Sequence, residues 1–202
     1  MNLTYTLLAD GNSDRSLVHI INWALEQIPG MRVNSQFADV SLKHRVGLYC
    51  RAEAAVNVYE CDILFVHRDA EMAALDDRIG EINDNLNELD KPYVPIVPIR
   101  MTEAWLLIDE MAIRTAASNP NGHSDLDMPR VDRLEGIPNP KYLLYEKLKL
   151  ASELPASRLR KFRPESRSHR VAELITDYSP LRRLSAFRQF ENDLIACVQT
   201  LS

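Results

Sequence analysis

The sequence predicts an α/β fold in which a mostly parallel sheet is flanked by helices. Residues 63–66 (ILFV) form a short run of β-branched and aromatic type, typical of a strand that is buried on both faces. Segments with apolar residues at helical spacing separate this run from other strand-like runs, a pattern that indicates helical crossovers between parallel strands. Acidic residues and a histidine follow directly after residue 66, where open α/β sheets bind their ligands.

The first predicted strand spans residues 4–9 and ends in a tight turn at Gly11. Asn12 or Ser13 can cap the helix that follows, which runs to about residue 28. The first strand therefore leads into a helix, as in the start of a parallel α/β unit.

The other elements of the amino-terminal half alternate between strand and helix. Pro95 and Pro98 place their strand near an edge of the sheet, because proline cannot donate a ladder hydrogen bond. Asp69 and Thr102 are each in position to cap a helix. The expected elements are a strand at 33–40, a helix at 42–59, a helix at 71–89, a strand at 93–99 and a helix at 103–109.

The second half of the chain is predicted to be a helical part packed on the sheet domain. The expected division is a domain at 1–117 and a loop with basic helices at 118–202. Residues 118–139 are rich in turn-forming residues and predict a mobile loop, with His123 in solvent. Asn139 and Pro140 are typical of the start of a helix. The helices are expected at 141–152, 171–177 and 181–201.

Composition places the chain among globular proteins of 202 residues with a net charge of −5. No apolar run approaches the ~20 residues of a membrane span, and the amino terminus does not resemble a signal peptide. The cysteines, Cys50, Cys61 and Cys197, have no metal-ligand spacing and are expected to be buried free thiols. We therefore expect a cytoplasmic protein without membrane contact.

The basic residues are concentrated in one segment. Residues 141–190 contain twelve lysines and arginines and five acids, a net charge of +7, which leaves −12 elsewhere. Such a segment is typical either of a surface that binds a phosphate backbone or of a solvated helical surface. On the first interpretation, Arg158, Arg160 and Arg163, with Arg68 after the central strand, bind nucleic acid.

Three acids are predicted to meet at one edge of the sheet. Asp10, Asp69 and Glu103 each follow a predicted strand, and the carboxyl ends of parallel strands share an edge. Carboxylates gathered there repel one another unless a cation neutralises them, and oxygen-rich sites suit Mg²⁺ or Mn²⁺. Asp14 lies in the first turn of its helix, where the helix dipole favours a carboxylate with or without a functional role.

Several segments resemble a known family. The segments 9–14 (ADGNSD), 66–71 (VHRDAE) and 99–107 (IRMTEAWLL) are similar to three blocks of the Toprim-related domain-of-unknown-function family numbered 4276. The later 139–141 (NPK) and 187–190 (FRQF) are similar to its carboxyl-terminal half. The resemblance spans nearly the whole chain and implies a Toprim-like fold.

The resemblance also implies a site. Toprim domains hold Mg²⁺ with a glutamate after the first strand and an Asp-x-Asp after a later one, for phosphodiester chemistry. The resemblance assigns the glutamate to Asp10, which is one methylene shorter, and the acidic pair to residues 67–71. That pair is either His67 with Asp69 or Asp69 with Glu71, and Glu71 preserves the charge.

The function expected from this reasoning is a nuclease, a Mg²⁺- or Mn²⁺-dependent phosphodiesterase. Asp10, Asp69 and Glu71, joined by Glu103, would hold the metal, and the first three would be catalytic. The resemblance implies an ATPase partner in phage defence. The alternative is a non-catalytic Toprim-like partner that regulates such an ATPase, and phosphoryl transfer on a small molecule is disfavoured because no phosphate-cradling glycine loop is visible.

Overall fold

A computed structural model describes residues 1–38 and 46–201. In these residues one four-stranded parallel sheet has the order β2-β1-β3-β4. The strands are β1 (Asn2–Leu8), β2 (Arg32–Phe37), β3 (Ile63–His67) and β4 (Tyr93–Ile96). The fold is therefore α/β with a parallel sheet, as predicted, and it is consistent with a Toprim-like arrangement.

Helices cover both faces of this sheet. β3 alternates between two cores: Ile63 and Phe65 face the larger one, and Leu64 and Val66 face the smaller one. Helices α2 and α3 cover the smaller core, and α1, α4, α5, α7 and α8 surround the larger one. The helices are α1 (Leu17–Glu26), α2 (Leu48–Val58), α3 (Leu75–Leu86), α4 (Glu110–Ala116), α5 (Pro140–Ala151), α6 (Ala156–Leu159), α7 (Glu165–Leu174) and α8 (Ser185–Thr200).

The carboxyl-terminal helical part packs directly against the sheet. The ring of Phe190 on α8 lies 6.1 Å from that of Phe65 on β3. The ring of Phe187 lies 5.5 Å from the indole of Trp105, which follows β4. These aromatic rings are fully buried, so burial of apolar surface joins the two halves of the chain.

Several element predictions are confirmed. β3 is buried throughout, and β4 lies at an edge of the sheet. The side chain of Asn139 accepts a hydrogen bond from the backbone N–H of Tyr142 at 2.9 Å, and Pro140 is the first residue of α5. This cap satisfies one N–H that the helix leaves unpaired.

The predicted start of α3 is wrong. The helix begins at Leu75 instead of residue 71, and Asp69 does not cap it. The N–H of Ala70 donates to the carbonyl of Pro98 at 3.0 Å, which continues the pairing of the two chain segments beyond β4. Glu71 then takes a left-handed conformation with φ of 53°, which interrupts any helix at that point.

The predicted caps after β1 and β4 are also wrong. A 3-10 helix (Asn12–Ser16) precedes α1, and Gly11 is its cap residue. Thr102 is the first residue of a 3-10 helix (Thr102–Leu106) instead of its cap, so its hydroxyl is free for side-chain contacts. Asp109 caps α4 by accepting from the N–H of Ala112.

Two predicted elements are only partly within the described residues. The strand predicted at 33–40 is present as β2, and the helix predicted at 42–59 is present as α2. Residues 39–45, which include the predicted end of the one and start of the other, lie outside the described residues.

Residues 118–130 are without regular structure, as predicted, but residues 131–136 form a 3-10 helix. The carboxylate of Glu153 accepts from the N–H groups of His123 and Ser124, each at 2.6 Å, and the buried Leu126 joins the larger core. These bonds, first among them that from Ser124, lower the pKa of Glu153 to about 2. The segment is therefore anchored to the helical part, and His123 is exposed as expected.

The last two helices begin and end elsewhere than predicted. α7 starts six residues earlier, directly after Pro164, and α8 is preceded by a separate 3-10 helix (Ser179–Arg183) that contains Pro180. Proline fits the first turn of a helix, so both prolines mark starts that apolar spacing did not indicate.

The three cysteines are free, as expected, but Cys50 is exposed on α2 and Cys61 alone is fully buried. No helix in residues 1–38 and 46–201 is long and apolar enough to cross a membrane.

Candidate active site at the carboxyl edge of the sheet

His67 is the centre of a polar cluster at the carboxyl end of β3. The side chain is almost fully buried, and its Nδ1 lies 3.0 Å from the carbonyl of Ile96 on β4. A carbonyl only accepts, so Nδ1 donates and the ring is fixed in one orientation. Nε2 then points at the hydroxyl of Thr102, 3.3 Å away.

Asp69 and Asp14 lie on the Nε2 side of this imidazole. The nearest carboxylate oxygens are 3.6 Å from Nε2 for Asp69 and 3.8 Å for Asp14. The same hydroxyl lies 3.4 Å from Oδ1 of Asp69, so its single proton can be donated either to Nε2 or to this carboxylate. The loop after β1, the end of β3 and the segment after β4 therefore each contribute a polar side chain to one place.

The environment of Asp69 disfavours its charge. Burial raises the pKa of this carboxyl to about 6 against the attraction of His67, and the negative charges of Asp14 and Glu103 raise it further. Buried carboxylates that repel one another behave in this way until a cation neutralises them. Asp69 is therefore ionised less readily than an exposed aspartate, chiefly because it is buried.

Lys141 supplies a positive charge from the helical part. Its Nζ lies 3.0 Å from Oε1 of Glu103, which is itself 9% exposed. Burial lowers the pKa of Lys141, but the charge and hydrogen bond of Glu103 outweigh this, and the net effect raises the pKa. Asp14, His67, Asp69, Thr102, Glu103 and Lys141 are called the edge cluster below.

Asp10, the predicted counterpart of the Toprim glutamate, does not belong to the edge cluster. Its Oδ1 accepts from Nη1 of Arg51 at 2.6 Å, and its Oδ2 lies 3.8 Å from Nε of Arg68. Arg51 also donates to the carbonyl of Ala9 at 2.8 Å. The side chain of Asp10 is half exposed and is held by arginines on α2 and after β3.

Glu71, the preferred second acid of the predicted pair, is exposed in the turn after β3. Its backbone carbonyl accepts a hydrogen bond from Arg100 at 3.2 Å. The residue has a left-handed backbone conformation, so the predicted helix does not begin there.

The structure therefore brings together a different set of acids from the one predicted. Asp69 and Glu103 are joined by Asp14, not by Asp10 and Glu71. Within residues 1–38 and 46–201, the carboxylate oxygens of these three acids do not all lie within 4.8 Å of one another. A cation would have to draw the side chains closer.

Sequence reasoning found Asp14 but could not distinguish its role. An acid in a first helical turn is explained by the helix dipole alone, and here the carboxylate also accepts from the N–H of Gly11 at 2.8 Å. From the sequence, Lys141 belongs to the basic segment, and Thr102 is predicted to cap a helix. The available signal was position: each of these residues follows a strand end or begins a helix.

The predicted nucleic-acid residues have two different environments. Arg68 is paired with Glu81 on α3 and lies beside Asp10. Arg158, Arg160 and Arg163 are exposed on α6 and the turn after it, and their guanidinium groups form no hydrogen bond or ion pair with the rest of the described chain. They are therefore available to an anionic partner.

Comparison of the chain with protein-family models, with curated proteins and with solved structures found no match in any of the three, so the assignment of a family stays a prediction.

Proposed function

We propose that the chain is a Mg²⁺- or Mn²⁺-dependent phosphodiesterase that acts on nucleic acid. The observation that supports this most is the convergence of Asp14, Asp69 and Glu103 at the carboxyl edge of a parallel sheet. Oxygen ligands of this kind favour Mg²⁺ or Mn²⁺. Among the proposed metal ligands, Asp14 takes the place of Asp10 and Glu71, while Asp69 and Glu103 are retained.

The residues of the edge cluster have different roles in this proposal. A bound divalent cation supplies charge neutralisation at the phosphate and a lower pKa for a coordinated water. Asp69, Asp14 and Glu103 are the groups that would hold it. Lys141 would contribute positive charge toward a phosphate oxygen, since its Nζ lies at the cluster.

His67 has a separate part in this proposal. Its Nδ1 is committed to a backbone carbonyl, so Nε2 is the nitrogen available to orient a carboxylate or to accept a proton. Because the ring is buried and fixed, it holds Asp69 and Thr102 in place from one side. It is therefore a positioning residue unless a substrate reaches Nε2.

The decisive test is cleavage of single-stranded and plasmid DNA and of RNA with Mn²⁺, with Mg²⁺ and with chelator. The assay is run alone and with the ATPase that a neighbouring gene encodes, where there is one. We expect Mn²⁺-dependent cleavage that Asp69→Ala abolishes. Cleavage that survives in Asp69→Ala, or in chelator, would remove the edge cluster from the reaction.

The nucleic-acid partner is tested through the salt dependence of binding. Arg158, Arg160 and Arg163 are exposed and have no side-chain partner within the described ranges 1–38 and 46–201, so each can neutralise a phosphate. Replacing all three by glutamine should reduce the slope of log affinity against log salt by about 2 to 3. The matched control is Arg130→Gln, an exposed arginine outside the segment that is paired with Asp132. An unchanged slope in the triple variant would favour the solvated-surface interpretation.

A second candidate function is a non-catalytic partner that regulates an ATPase. It is favoured by one observation: the acid that the resemblance assigns to catalysis, Asp10, is already neutralised by Arg51 and Arg68. The two candidates differ in a direct measurement. If the chain is inert on DNA and RNA with Mn²⁺ and the ATPase present, but changes the rate of ATP hydrolysis, the regulatory function replaces the nuclease.

A further inference from the structure

A second group of potential ligands lies between α1 and α7, away from the edge cluster. His19 is on α1, and His169 and Glu173 lie one turn apart on α7. One ligand atom from each of these three side chains lies within 4.8 Å of the others. Within the described ranges 1–38 and 46–201, this is the group of His, Cys, Asp and Glu side chains that meets that distance.

We propose that His19, His169 and Glu173 bind one divalent transition-metal ion of the zinc class, which links α1 to α7. Two imidazole nitrogens and one carboxylate are a ligand set that zinc takes in proteins, with a fourth position open to water. Imidazole also favours zinc over Mg²⁺, which prefers oxygen ligands alone. These three residues are called the helix-pair site below.

The distances need little adjustment. Ligands around tetrahedral zinc at 2.0–2.1 Å are about 3.4 Å apart, and Nε2 of His169 lies 3.4 Å from Oε1 of Glu173. The rings of His19 and His169 have centroids 5.4 Å apart and are tilted by 54°. The three ligand atoms lie within 4.8 Å of one another, which is close to the separation that tetrahedral zinc needs.

The second oxygen of Glu173 is already oriented by the protein. Arg170 donates to Oε2, so Oε1 is left to face the histidines. Metal-binding carboxylates are commonly held by an outer hydrogen bond of this kind. The hydrogen bond from Arg170, with the charges nearby, also lowers the pKa of Glu173, so the carboxylate is ionised.

The site also has an open side. A pocket of about 280 Å³ is lined by the three proposed ligands together with Arg15, Ser35 and Gln36. The side chains of His169 and Glu173 are 40% and 33% exposed, which leaves an entry path for the ion. The pocket gives room for the water that completes four-coordination.

The test is calorimetric titration of chelator-treated full-length protein with Zn²⁺. We expect one ion per chain, and His19→Gln or His169→Gln should each weaken its binding by more than about 100-fold, since even loss of an outer-shell partner costs about 10- to 100-fold. Arg170→Met should weaken binding by about tenfold. The matched control is His123→Gln, because this histidine is exposed and lies outside the group.

Thermal unfolding gives a readout that does not depend on activity. Saturation with Zn²⁺ at one hundred times Kd should raise the unfolding midpoint of the wild type by about 5 to 10 °C. The His169→Gln variant should show no rise, while its metal-free midpoint and circular dichroism confirm that it folds. Wild-type protein that binds no Zn²⁺, or variants that bind it like the wild type, would overturn the proposal.

Discussion

The edge cluster and the helix-pair site both unite side chains that are far apart in sequence, but they differ in ligand chemistry. The edge cluster offers three carboxylates and holds a lysine among them. The helix-pair site offers two imidazoles and one carboxylate that an arginine orients. Oxygen-only sites favour Mg²⁺ and Mn²⁺, whereas imidazoles favour zinc. The type of ligand atom, not the amount of negative charge, therefore separates the two sites.

They also differ in how the fold makes them. The edge cluster arises because parallel strands end at the same edge, so side chains from segments that follow different strands meet there. Position after a strand is not sufficient, since Asp10 follows β1 and pairs with Arg51 and Arg68 instead. The helix-pair site arises because α1 and α7 pack against each other and α7 presents residues four apart on one face. The first is a property of sheet topology and the second of one helix contact.

The largest expected effect tests whether the two sites are independent. Asp69→Asn should lower Mn²⁺-dependent cleavage by about 1000-fold, because metal stabilisation of the reacting phosphate is worth several kcal/mol. The same variant should bind Zn²⁺ as tightly as the wild type, measured by calorimetry. His169→Gln should show the reverse pattern.

If either variant lost both Mn²⁺-dependent cleavage and Zn²⁺ binding, the two sites would not be independent. Either one metal site would serve both regions, or the variants would not fold. Circular dichroism of each metal-free variant separates these two outcomes.

The second prediction concerns the cost of the charge on Asp69. Burial and the neighbouring acids raise its pKa to about 6 in the folded protein from the ordinary value of 3.8. Between these two values the folded state binds more protons than the unfolded state, so stability falls as pH rises through that window. The asparagine of Asp69→Asn does not titrate, and the penalty should be absent from this variant.

Urea unfolding measures that penalty directly. At neutral pH and without divalent cations, Asp69→Asn should raise the free energy of unfolding by about 2 kcal/mol, and the gain should vanish below about pH 4. Asp84→Asn, which changes an exposed acid on α3, should show no such pH-dependent gain. An Asp69→Asn variant that is less stable than the wild type at neutral pH would show that the charge of Asp69 does not destabilise the folded protein.

The sequence predicted those parts of the fold that depend on local pattern. The apolar run of β3, the edge position that proline indicates for β4 and the cap at Asn139 each follow from a short-range rule, and the structure confirms them. The parallel topology followed from the alternation of these patterns, and with it the expectation that Asp69 and Glu103 lie near each other.

The parts that sequence missed depend on contacts between distant residues. The N–H of Ala70 pairs with the carbonyl of Pro98, and Glu71 then takes a left-handed conformation where a helix is predicted to begin. No local pattern indicates that pairing. The approach of His19 to His169, which are 150 positions apart in the sequence, is likewise decided by how α1 packs on α7. A histidine on an amphipathic helix carries no signal that a second one will face it.

The third prediction tests whether Lys141 competes with a bound cation for the carboxylate of Glu103. If Glu103 is a metal ligand, Lys141 competes with the cation for its carboxylate, because Nζ lies 3.0 Å from Oε1. Lys141→Met should then raise Mn²⁺ affinity about three- to tenfold, in the range of a partly exposed charge pair, and leave Zn²⁺ affinity unchanged. Lys149→Met, an exposed lysine on the same helix, should change neither affinity. Weaker Mn²⁺ binding in Lys141→Met would show that the lysine supports the metal site instead of competing with it.

The smallest expected effect tests whether Asp10 is a catalytic acid, as the resemblance implies, or an ion-paired carboxylate outside the site. The resemblance makes Asp10 the counterpart of a catalytic glutamate, so Asp10→Asn should then reduce cleavage as strongly as Asp69→Asn. The geometry shows a half-exposed carboxylate paired with Arg51 and Arg68. On that basis Asp10→Asn should reduce cleavage by less than about tenfold and lower the free energy of unfolding by about 0.5 to 1 kcal/mol, the range of exposed ion pairs.

Asp10→Glu keeps the charge and should keep or raise the activity. Steady-state cleavage rates of Asp10→Asn, Asp10→Glu and Asp69→Asn, measured side by side in Mn²⁺, distinguish the two assignments. If Asp10→Asn is as inactive as Asp69→Asn while Asp10→Glu is active, Asp10 must leave its arginines to reach the metal, and the edge cluster as defined by Asp14 would be wrong.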